Sequence, residues 1–569
     1  MDQRNEVRDL LVQIYGDRDG RLAAERIFPL LDAFPKNPVS DKARAFFSES
    51  DVIVITYGDS IRRSGEMPLA TLKRFADTYF KDVFSAIHIL PFYPYSSDDG
   101  FSVTDFYRVD PEIGTWRGVS ELKENFRLMF DYVLNHISAQ SDWFRHYLAG
   151  TPGYSRLAIE VDPATDLSMV VRPRALPLLT EFRKSPGQTV HVWTTFSADQ
   201  IDLNYKSLDV LERMVRVLLF YLGQGASMLR LDAVAYLWKE LGTTCIHLEK
   251  THTVVKLFRA ILDIAAPGVI LVSETNVPHH ENISYFGNGR DEAQMVYNFT
   301  LPPLLLHTFL TRNASELTRW AAGLDPLTNT TTFLNFTASQ DGIGVRPLEG
   351  ILPVDALDRL AAHVVENGGL ISHKRNPDGS ESPYELNITY VDALLDDAMP
   401  AGDAFHAERF LASQTAQLSM PGIPGIYIHS ILGSRNWSAG VASTGRARTI
   451  NREKLMVSDI IADLEDPASL RHQIFYPYTH RIRVRRRQPA FHPSAHCRVL
   501  ALDPRVFALV RSCPDQTIYA LTNVTPENVD LAWPELATSG RMGDLISGRE
   551  QGTAPIRLSP YQSVWLTPG

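Results

Sequence analysis

Cysteine, long apolar runs and a secretory leader are scarce or missing in this 569-residue sequence. Its three cysteines, Cys245, Cys497 and Cys513, are scattered and lack metal-binding spacing, as is typical of a protein of the reducing cytoplasm. No uncharged apolar run reaches the ~20 residues that a membrane helix needs. The stretch Met1 to Arg18 mixes charges and has no apolar signal core. We therefore expect a cytoplasmic protein that does not associate with membranes.

A strong excess of positive charge is also lacking. Lys and Arg number 56 against 66 Asp and Glu, and the net charge of -10 is spread along the chain. This distribution argues against binding to a phosphate backbone, so nucleic acid is not an expected partner. The one basic cluster, Arg485 to Arg487 with Arg481 and Arg483, is interpreted as the end of a helix whose arginines face solvent or neighbouring carboxylates.

What the sequence does contain is a repeated alternation of short apolar runs with amphipathic helical stretches such as Leu208 to Leu222. This alternation is typical of parallel βα units. The predicted strands are Val52 to Thr56, Ala86 to Phe92, Leu128 to Leu134, Met228 to Leu231, Val269 to Ser273, Met295 to Phe299, Thr332 to Phe336 and Gly425 to His429. Eight such units predict an α/β protein with a closed (β/α)8 barrel, the TIM-barrel fold.

Two connections after predicted strand ends are too long for simple loops and are expected to be inserted subdomains. The predicted domains are a helical N-terminal extension (1–50), three barrel parts (51–136, 205–341 and 408–487), subdomains after strands three (137–204) and seven (342–407), and a C-terminal all-β domain (488–569). The insertions follow strand C-termini, where barrel enzymes build their active sites.

Polar residues follow four of the predicted strands, and a barrel brings such strand ends together around one pocket. Asp232 and Glu274 end neighbouring strands, which lie ~4.8 Å apart in a sheet. Retaining glycosyl transfer needs two carboxyl groups ~5 to 5.5 Å apart, so this pair suits that chemistry. Arg230, on the same side of its strand as Asp232, is expected to hold Asp232 ionised, whereas Glu274 needs a raised pKa to act as an acid.

Four motifs of the sequence resemble the motif series of the α-amylase superfamily, glycoside hydrolase family 13. They are Asp131-x-x-x-Asn135-His136, Arg230-Leu-Asp-Ala-Val-Ala-Tyr236, Ser273-Glu274 and Gln340-Asp-Gly-Ile-Gly344. Within that family the sequence is most similar to the sucrose-phosphorylase group, through stretches such as His88-Ile-Leu-Pro-Phe-Tyr-Pro94 and Ile450-Asn-Arg452. The likeness runs from about residue 51 to the end.

The resemblance implies that Asp232 is the nucleophile, Glu274 the general acid/base and Asp341 the transition-state stabiliser. It also implies the residues of the glucosyl subsite, which are Asp98, Phe101, His136, Phe196, Gln200, Arg230, Gln340 and Arg452. Arg174, Tyr384 and Glu385 would lie on the acceptor and phosphate side. Gln340 replaces the usual His and keeps a hydrogen-bond donor, and both a tolerated and a functional substitution remain open.

The resulting expectation is a retaining α-glucoside phosphorylase that uses inorganic phosphate as co-substrate and no metal or other cofactor. Glu385, the Arg172-Pro-Arg174 segment and the N-terminal extension resemble the glucosylglycerate-active branch, so D-glycerate is the expected acceptor. Arg174 could bind its carboxylate, and Glu385 could accept hydrogen bonds from its hydroxyls. The alternatives are phosphorylases of sucrose, sucrose 6'-phosphate or glucosylglycerol, an α-glucosidase or transglucosidase, and a non-catalytic carbohydrate-binding barrel. No oligomeric state is indicated.

Overall fold

The computed structural model describes residues 3–35, 46–174, 176–375, 380–396, 404–533, 541–551 and 555–568. Within these residues, eight parallel strands close into a barrel in chain order. The strands are β1 (Ile53–Thr56), β2 (Ala86–Ile89), β3 (Arg127–Tyr132), β4 (Ala226–Leu231), β5 (Ile270–Ser273), β6 (Met295–Tyr297), β7 (Thr332–Asn335) and β8 (Ile423–Tyr427). The predicted barrel is therefore confirmed, although several strands end up to three residues earlier than predicted.

The register of the barrel aligns the ends of β4 and β5. Leu231 pairs with Ser273, so the next residues, Asp232 and Glu274, occupy equivalent positions at the C-terminal rim. Arg230 lies beside Asp131 of β3 on one side and Val272 of β5 on the other. The register therefore places one cation and three carboxyl groups at neighbouring positions.

Helices follow the strands around the outside of the barrel. The helices of this outer layer are Pro68–Tyr79, Trp116–Leu122, Leu208–Gly223, Glu249–Ala265, His279–Ile283, Leu301–Thr311, Ser315–Ala322, His406–Ser419, Ile428–Ile431, Val457–Glu465 and Leu470–Arg485. They bury an apolar stripe against the strands, as Leu208–Gly223 does with Val210, Met214 and Leu218. All described helices are too short or too polar to cross a bilayer.

Residues 3–33 form two antiparallel helices, Gln3–Tyr15 and Asp17–Ala33, joined at Gly16. Gly16 has a φ of 81°, a backbone conformation that favours glycine. The first helix packs on the barrel helix Glu249–Ala265. The Tyr15 hydroxyl donates to the Tyr205 carbonyl at 2.8 Å. The hairpin therefore covers the outside of the barrel next to β4.

Smaller elements stand at the C-terminal rim of the barrel. After β3 the chain forms the strand pairs His136–Ser138 with Gln200–Asp202 and Leu179–Lys184 with Gln188–Trp193, and the helix Asp142–Leu148. After β7 it forms a sheet of Ile343–Gly344, Leu370–Arg375 and Glu381–Asn387, with helices Val354–Glu366 and Tyr390–Ala393. Residues 376–379, within the predicted subdomain 342–407, lie outside the described residues. These additions carry Gln200, Tyr384 and Glu385 to the pocket.

The last part of the chain is antiparallel. One sheet contains His496–Asp503, Val506–Cys513, Gln516–Asn523, Ser563–Pro568, Met542–Asp544 and Glu550–Gln551, and Val529–Leu531 pairs with Ile556–Leu558. The helix His406–Ser419 is buried at every residue except Glu408 because it lies between barrel and sheet. The Trp565 indole donates to the Ser419 hydroxyl across this contact at 2.9 Å.

The interpretation of the basic cluster as solvent-facing is wrong at Arg485. This side chain is fully buried and donates to the carbonyls of Leu418, Gly422, Phe491 and Glu49. The planar guanidinium offers five N–H groups and can satisfy several backbone carbonyls that converge where helices and strands end. Arg485 therefore joins the last barrel helix to the N-terminal side of the barrel.

Candidate active site

The site begins at the ends of β4 and β5, where the guanidinium of Arg230 faces both Asp232 and Glu274. Arg230 Nη1 donates to Asp232 Oδ1 at 2.8 Å, and Nη2 lies 3.7 Å from Glu274 Oε2. The chain turns immediately after Asp232, at Ala233, whose φ is 52°. That turn directs the Ala233 N–H to Glu274 Oε2 at 3.1 Å. Contacts with Arg230 and with the Ala233 N–H thus hold the two carboxyl groups in place.

Arg230 is itself fixed from behind. It donates to the buried carboxylate of Asp131, whose other oxygen lies 2.7 Å from His88 Nε2. Burial alone would raise the pKa of Asp131, but Arg230 and His88 hold it below its ordinary value. Asp131 therefore stays ionised and orients the guanidinium toward the carboxyl pair.

Burial decides the pKa values of the pair. It raises the pKa of Glu274 to about 7 and that of Asp232 to about 6, although Arg230 opposes the rise at both. Arg230 thus favours the ionised form of Asp232, as expected, but burial has the larger effect on its pKa. The order of the two values is nevertheless the useful one, because between them Asp232 is ionised while Glu274 keeps its proton.

On one side of Asp232 lies a compact wall of aromatic and polar groups. His136 Nε2 lies 3.0 Å from the Phe101 carbonyl and 3.2 Å from Gln200 Nε2. Burial lowers the pKa of His136 to about 4, so this imidazole is neutral. Phe196 packs between His136 and Tyr236, with ring centroids 5.4 and 5.5 Å away. Neutral hydrogen-bonding groups beside aromatic faces suit a sugar ring.

Asp98 completes this wall from a left-handed backbone position, with a φ of 55°. Its Oδ2 lies 3.4 Å from both Arg174 Nη2 and Gln200 Nε2. Burial opposes ionisation, yet the arginines Arg174, Arg448 and Arg452 hold the pKa of Asp98 well below its usual range. Asp98 is consequently an ionised acceptor at the pocket surface.

Opposite the pair, Asp341 lies among arginines. Its Oδ1 is 2.5 Å from Arg448 Nη1 and 3.5 Å from Arg452 Nη2, and its Oδ2 accepts from Gln340 Nε2 at 3.1 Å. Arg452 Nε donates to the Gln340 carbonyl at 2.7 Å, and its Nη1 lies closer to Asp99 (2.5 Å) than to Asp98 (4.0 Å). The Gln340 amide thus orients Asp341 from behind.

The structure brings all the sequence-predicted residues to one pocket. Those that line it directly are Asp98, Phe101, His136, Arg174, Phe196, Gln200, Asp232, Glu274, Asp341, Tyr384 and Glu385. Arg230, Gln340 and Arg452 are almost fully buried and support its wall from behind.

Sequence reasoning missed several pocket residues, chiefly Arg448, together with Tyr236, Asn276 and Phe299. Arg448 lies four residues before Arg452, so the arginine spacing ahead of the Ile450-Asn-Arg452 motif was an available signal. Asp99, which contacts Arg452, was not predicted, because the resemblance assigned the neighbouring Asp98 to the glucosyl subsite together with Arg452.

Together, the (β/α)8 barrel and the carboxyl pair at adjacent strand ends define a barrel protein equipped for retaining glycosyl transfer. Residues 77–328 match the family described as alpha amylase, catalytic domain. The chain is 48% identical to a glucosylglycerate phosphorylase of Spirochaeta thermophila, covering 100% of this chain and 99% of that one. It is 44% identical to the glucosylglycerate phosphorylase of Escherichia coli, covering 99% and 100%.

A crystal structure of sucrose 6F-phosphate phosphorylase from Thermoanaerobacter thermosaccharolyticum superposes with a TM-score of 0.74. It is 24% identical and covers 90% of this chain and 98% of that one, which is a likeness of fold. The chain therefore belongs to the α-amylase family and, within it, to the group of sucrose and glucosylglycerate phosphorylases. The predicted family is confirmed.

Proposed function

We propose that this protein is a retaining phosphorylase that converts glucosylglycerate and inorganic phosphate into α-glucose 1-phosphate and D-glycerate. The observation that carries the proposal is the carboxyl pair Asp232 and Glu274, held by Arg230 in a chain 48% identical over its whole length to a glucosylglycerate phosphorylase. The chemistry requires two carboxyl groups of opposite protonation state and no metal or other cofactor. The free thiols of Cys245, Cys497 and Cys513 support a cytoplasmic location.

In the first step Asp232 attacks the anomeric carbon of the bound glucoside while Glu274 gives its proton to the glycosidic oxygen. The bond to glycerate breaks and a glucosyl ester of Asp232 forms. Asp341 and the wall residues Asp98, His136 and Gln200 accept and donate hydrogen bonds at the sugar hydroxyls. Phe101 and Phe196 pack against the ring, and Arg452 and Gln340 keep Asp341 oriented.

In the second step an oxygen of hydrogen phosphate attacks the same carbon from the side that glycerate has left. The ester bond breaks, Asp232 regains its negative charge, and the phosphate proton passes to Glu274. Both leaving glycerate and entering phosphate are anions, so their half of the site needs cations. Arg174 supplies one, since its guanidinium lies at the pocket surface beside Asp98 and over the Phe196 ring.

Phosphorolysis of a panel of α-glucosides by purified protein tests the proposal. Glucosylglycerate should yield glucose 1-phosphate with a higher kcat/KM than sucrose, sucrose 6'-phosphate or glucosylglycerol. Free glucose as the main product in phosphate buffer would identify a hydrolase instead. The reverse reaction, from glucose 1-phosphate, tests the acceptor. Better use of fructose or glycerol than of D-glycerate would refute D-glycerate as the acceptor while leaving the phosphorylase mechanism intact.

A further inference from the structure

Arg448 and Glu385 form a charged pair inside the pocket. Arg448 belongs to the 3-10 segment Ala447–Asn451, and Glu385 to the strand Glu381–Asn387 of the sheet inserted after β7. Arg448 Nε donates to Glu385 Oε2 at 3.0 Å, and Nη2 donates to Oε1. This two-point contact fixes the plane of the guanidinium.

The pair changes how Glu385 can act. Both carboxylate oxygens accept from Arg448, and the side chain is only 4% exposed. Each oxygen thus uses one lone pair on Arg448, which leaves fewer for the hydrogen bonds that acceptor hydroxyls are expected to donate to Glu385. The negative charge of Glu385 is neutralised, so it does not repel an anion that enters the pocket.

Arg448 also keeps N–H groups that are free to bind an anion. Contacts with Glu385 and with Asp341 Oδ1 use three of its five N–H groups, and two remain. The same side chain lines the pocket with Asp232 and Glu274. An outer cavity of about 320 Å³ opens beside it, and Arg174 and Arg448 line both spaces. An anion that moves from the outer cavity into the pocket would therefore meet both arginines.

We propose that Arg448, held in place by Glu385, binds the carboxylate of D-glycerate and makes this anion preferred over neutral acceptors. The inference deepens the proposed function and rests on it. The guanidinium suits a carboxylate because it offers paired donors in one plane. Glu385 is a positioning residue, since it acts through Arg448. Phosphate shares the anionic chemistry, so the test must separate the two anions.

The test compares D-glycerate with glycerol, which lacks the carboxylate, as acceptors of the glucosyl group from glucose 1-phosphate. Arg448→Gln also disturbs Asp341 and should lower kcat for both acceptors. The decisive readout is the ratio of kcat/KM for glycerate to that for glycerol, which should fall at least about tenfold. Arg448→Lys should retain part of the preference, and Glu385→Gln should shift the ratio in the same direction through a higher KM for glycerate.

Arg446→Gln is the matched control. Arg446 lies two residues earlier, is exposed, and lines the outer cavity but not the pocket around Asp232. Its replacement should leave the ratio of kcat/KM for glycerate to that for glycerol within about twofold of the wild-type value. This is well under the tenfold change, or about 1.4 kcal/mol, expected for Arg448→Gln. Thermal unfolding of each variant confirms that it is folded.

A separate measurement isolates phosphate, with α-glucosyl fluoride as donor and phosphate as acceptor. The KM for phosphate should rise less in Arg448→Gln than the KM for glycerate does. Equal loss of glycerate and glycerol activity would overturn the inference, because Arg448 would then serve only Asp341. A rise in the KM for phosphate without a matching rise in the KM for glycerate would also overturn it. The same holds if the preference for glycerate over glycerol survives in Arg448→Gln and disappears in Arg174→Ala. Failure of the proposed function itself is recognised separately, by wild-type protein that does not prefer glycerate.

Discussion

Attack on the glucoside requires Asp232 to be ionised while Glu274 is still protonated, and pKa values of about 6 and about 7 leave a narrow interval for this state. Below the lower value Asp232 takes up a proton, and the rate should fall about tenfold per pH unit. Above the higher value Glu274 loses its proton, and the rate should fall equally steeply. With titrations one unit apart, roughly 60% of the enzyme is in the reactive state at the midpoint.

The assay is kcat/KM for glucosylglycerate at saturating phosphate between pH 5 and 9. This parameter reports only the free enzyme and the first half-reaction, so the titration of phosphate itself near neutrality does not enter. The expected profile is bell-shaped with a maximum near pH 6.5, midway between the two pKa values.

Glu274→Gln identifies the group behind the alkaline limb. With α-glucosyl fluoride, whose leaving group needs no proton, this variant should retain far more glucosylation activity than with glucosylglycerate. Its rate should also stay level above pH 7. A wild-type profile that is flat from pH 5.5 to 8, an alkaline limb that survives in Glu274→Gln, or equal losses on both donors would refute the assignment of Glu274 as the acid.

Three further outcomes are expected. Asp232→Asn should retain less than roughly one per cent of wild-type turnover, a loss above ~2.7 kcal/mol, while the protein stays folded; higher activity would remove Asp232 from the nucleophile role. Gln340→His should change kcat/KM by less than about tenfold (~1.4 kcal/mol), since Gln340 already orients Asp341; a gain of several orders of magnitude would mean that the natural residue impairs the site. Arg485→Met should destabilise the protein by about 3 kcal/mol or more in denaturant unfolding, because several buried carbonyls lose their hydrogen-bond donor. The control Arg487→Met, at an exposed residue, should cost less than ~0.5 kcal/mol. Equal effects of the two substitutions would contradict the role of Arg485.

The barrel and its carboxyl pair could be predicted from sequence because both follow from local pattern. A parallel strand buried on both faces is a largely apolar run, and polar residues mark its C-terminal end. Asp232 and Glu274 are such residues, and barrel closure alone makes neighbours of them. Strand ends were less predictable: after Ile89 the chain continues apolar through Phe92, although the ladder with β3 has ended.

The arginines were harder to predict, because the sequence does not reveal which charges become buried. Arg485 and Arg487 occupy the same basic run, yet the first is fully buried among carbonyls and the second is exposed. Arg448 and Glu385 lie 63 positions apart, on segments that meet only after the sheet inserted after β7 has formed. Their pairing decides whether Glu385 repels or tolerates an anion, and no local pattern contains that information.

The arginines of the pocket explain how an anionic co-substrate can approach a site that is rich in carboxyl groups. Among the described residues, the guanidinium groups of the site each contact at least one carboxylate. Arg174 lies beside Asp98, Arg230 beside Asp232 and Asp131, Arg448 beside Asp341 and Glu385, and Arg452 beside Asp341 and Asp99. Water needs no such compensation, whereas hydrogen phosphate brings two negative charges next to Asp232 as its ester breaks. Loss of one acceptor-side arginine should therefore favour water over phosphate, so the ratio of glucose to glucose 1-phosphate measures this electrostatic contribution directly.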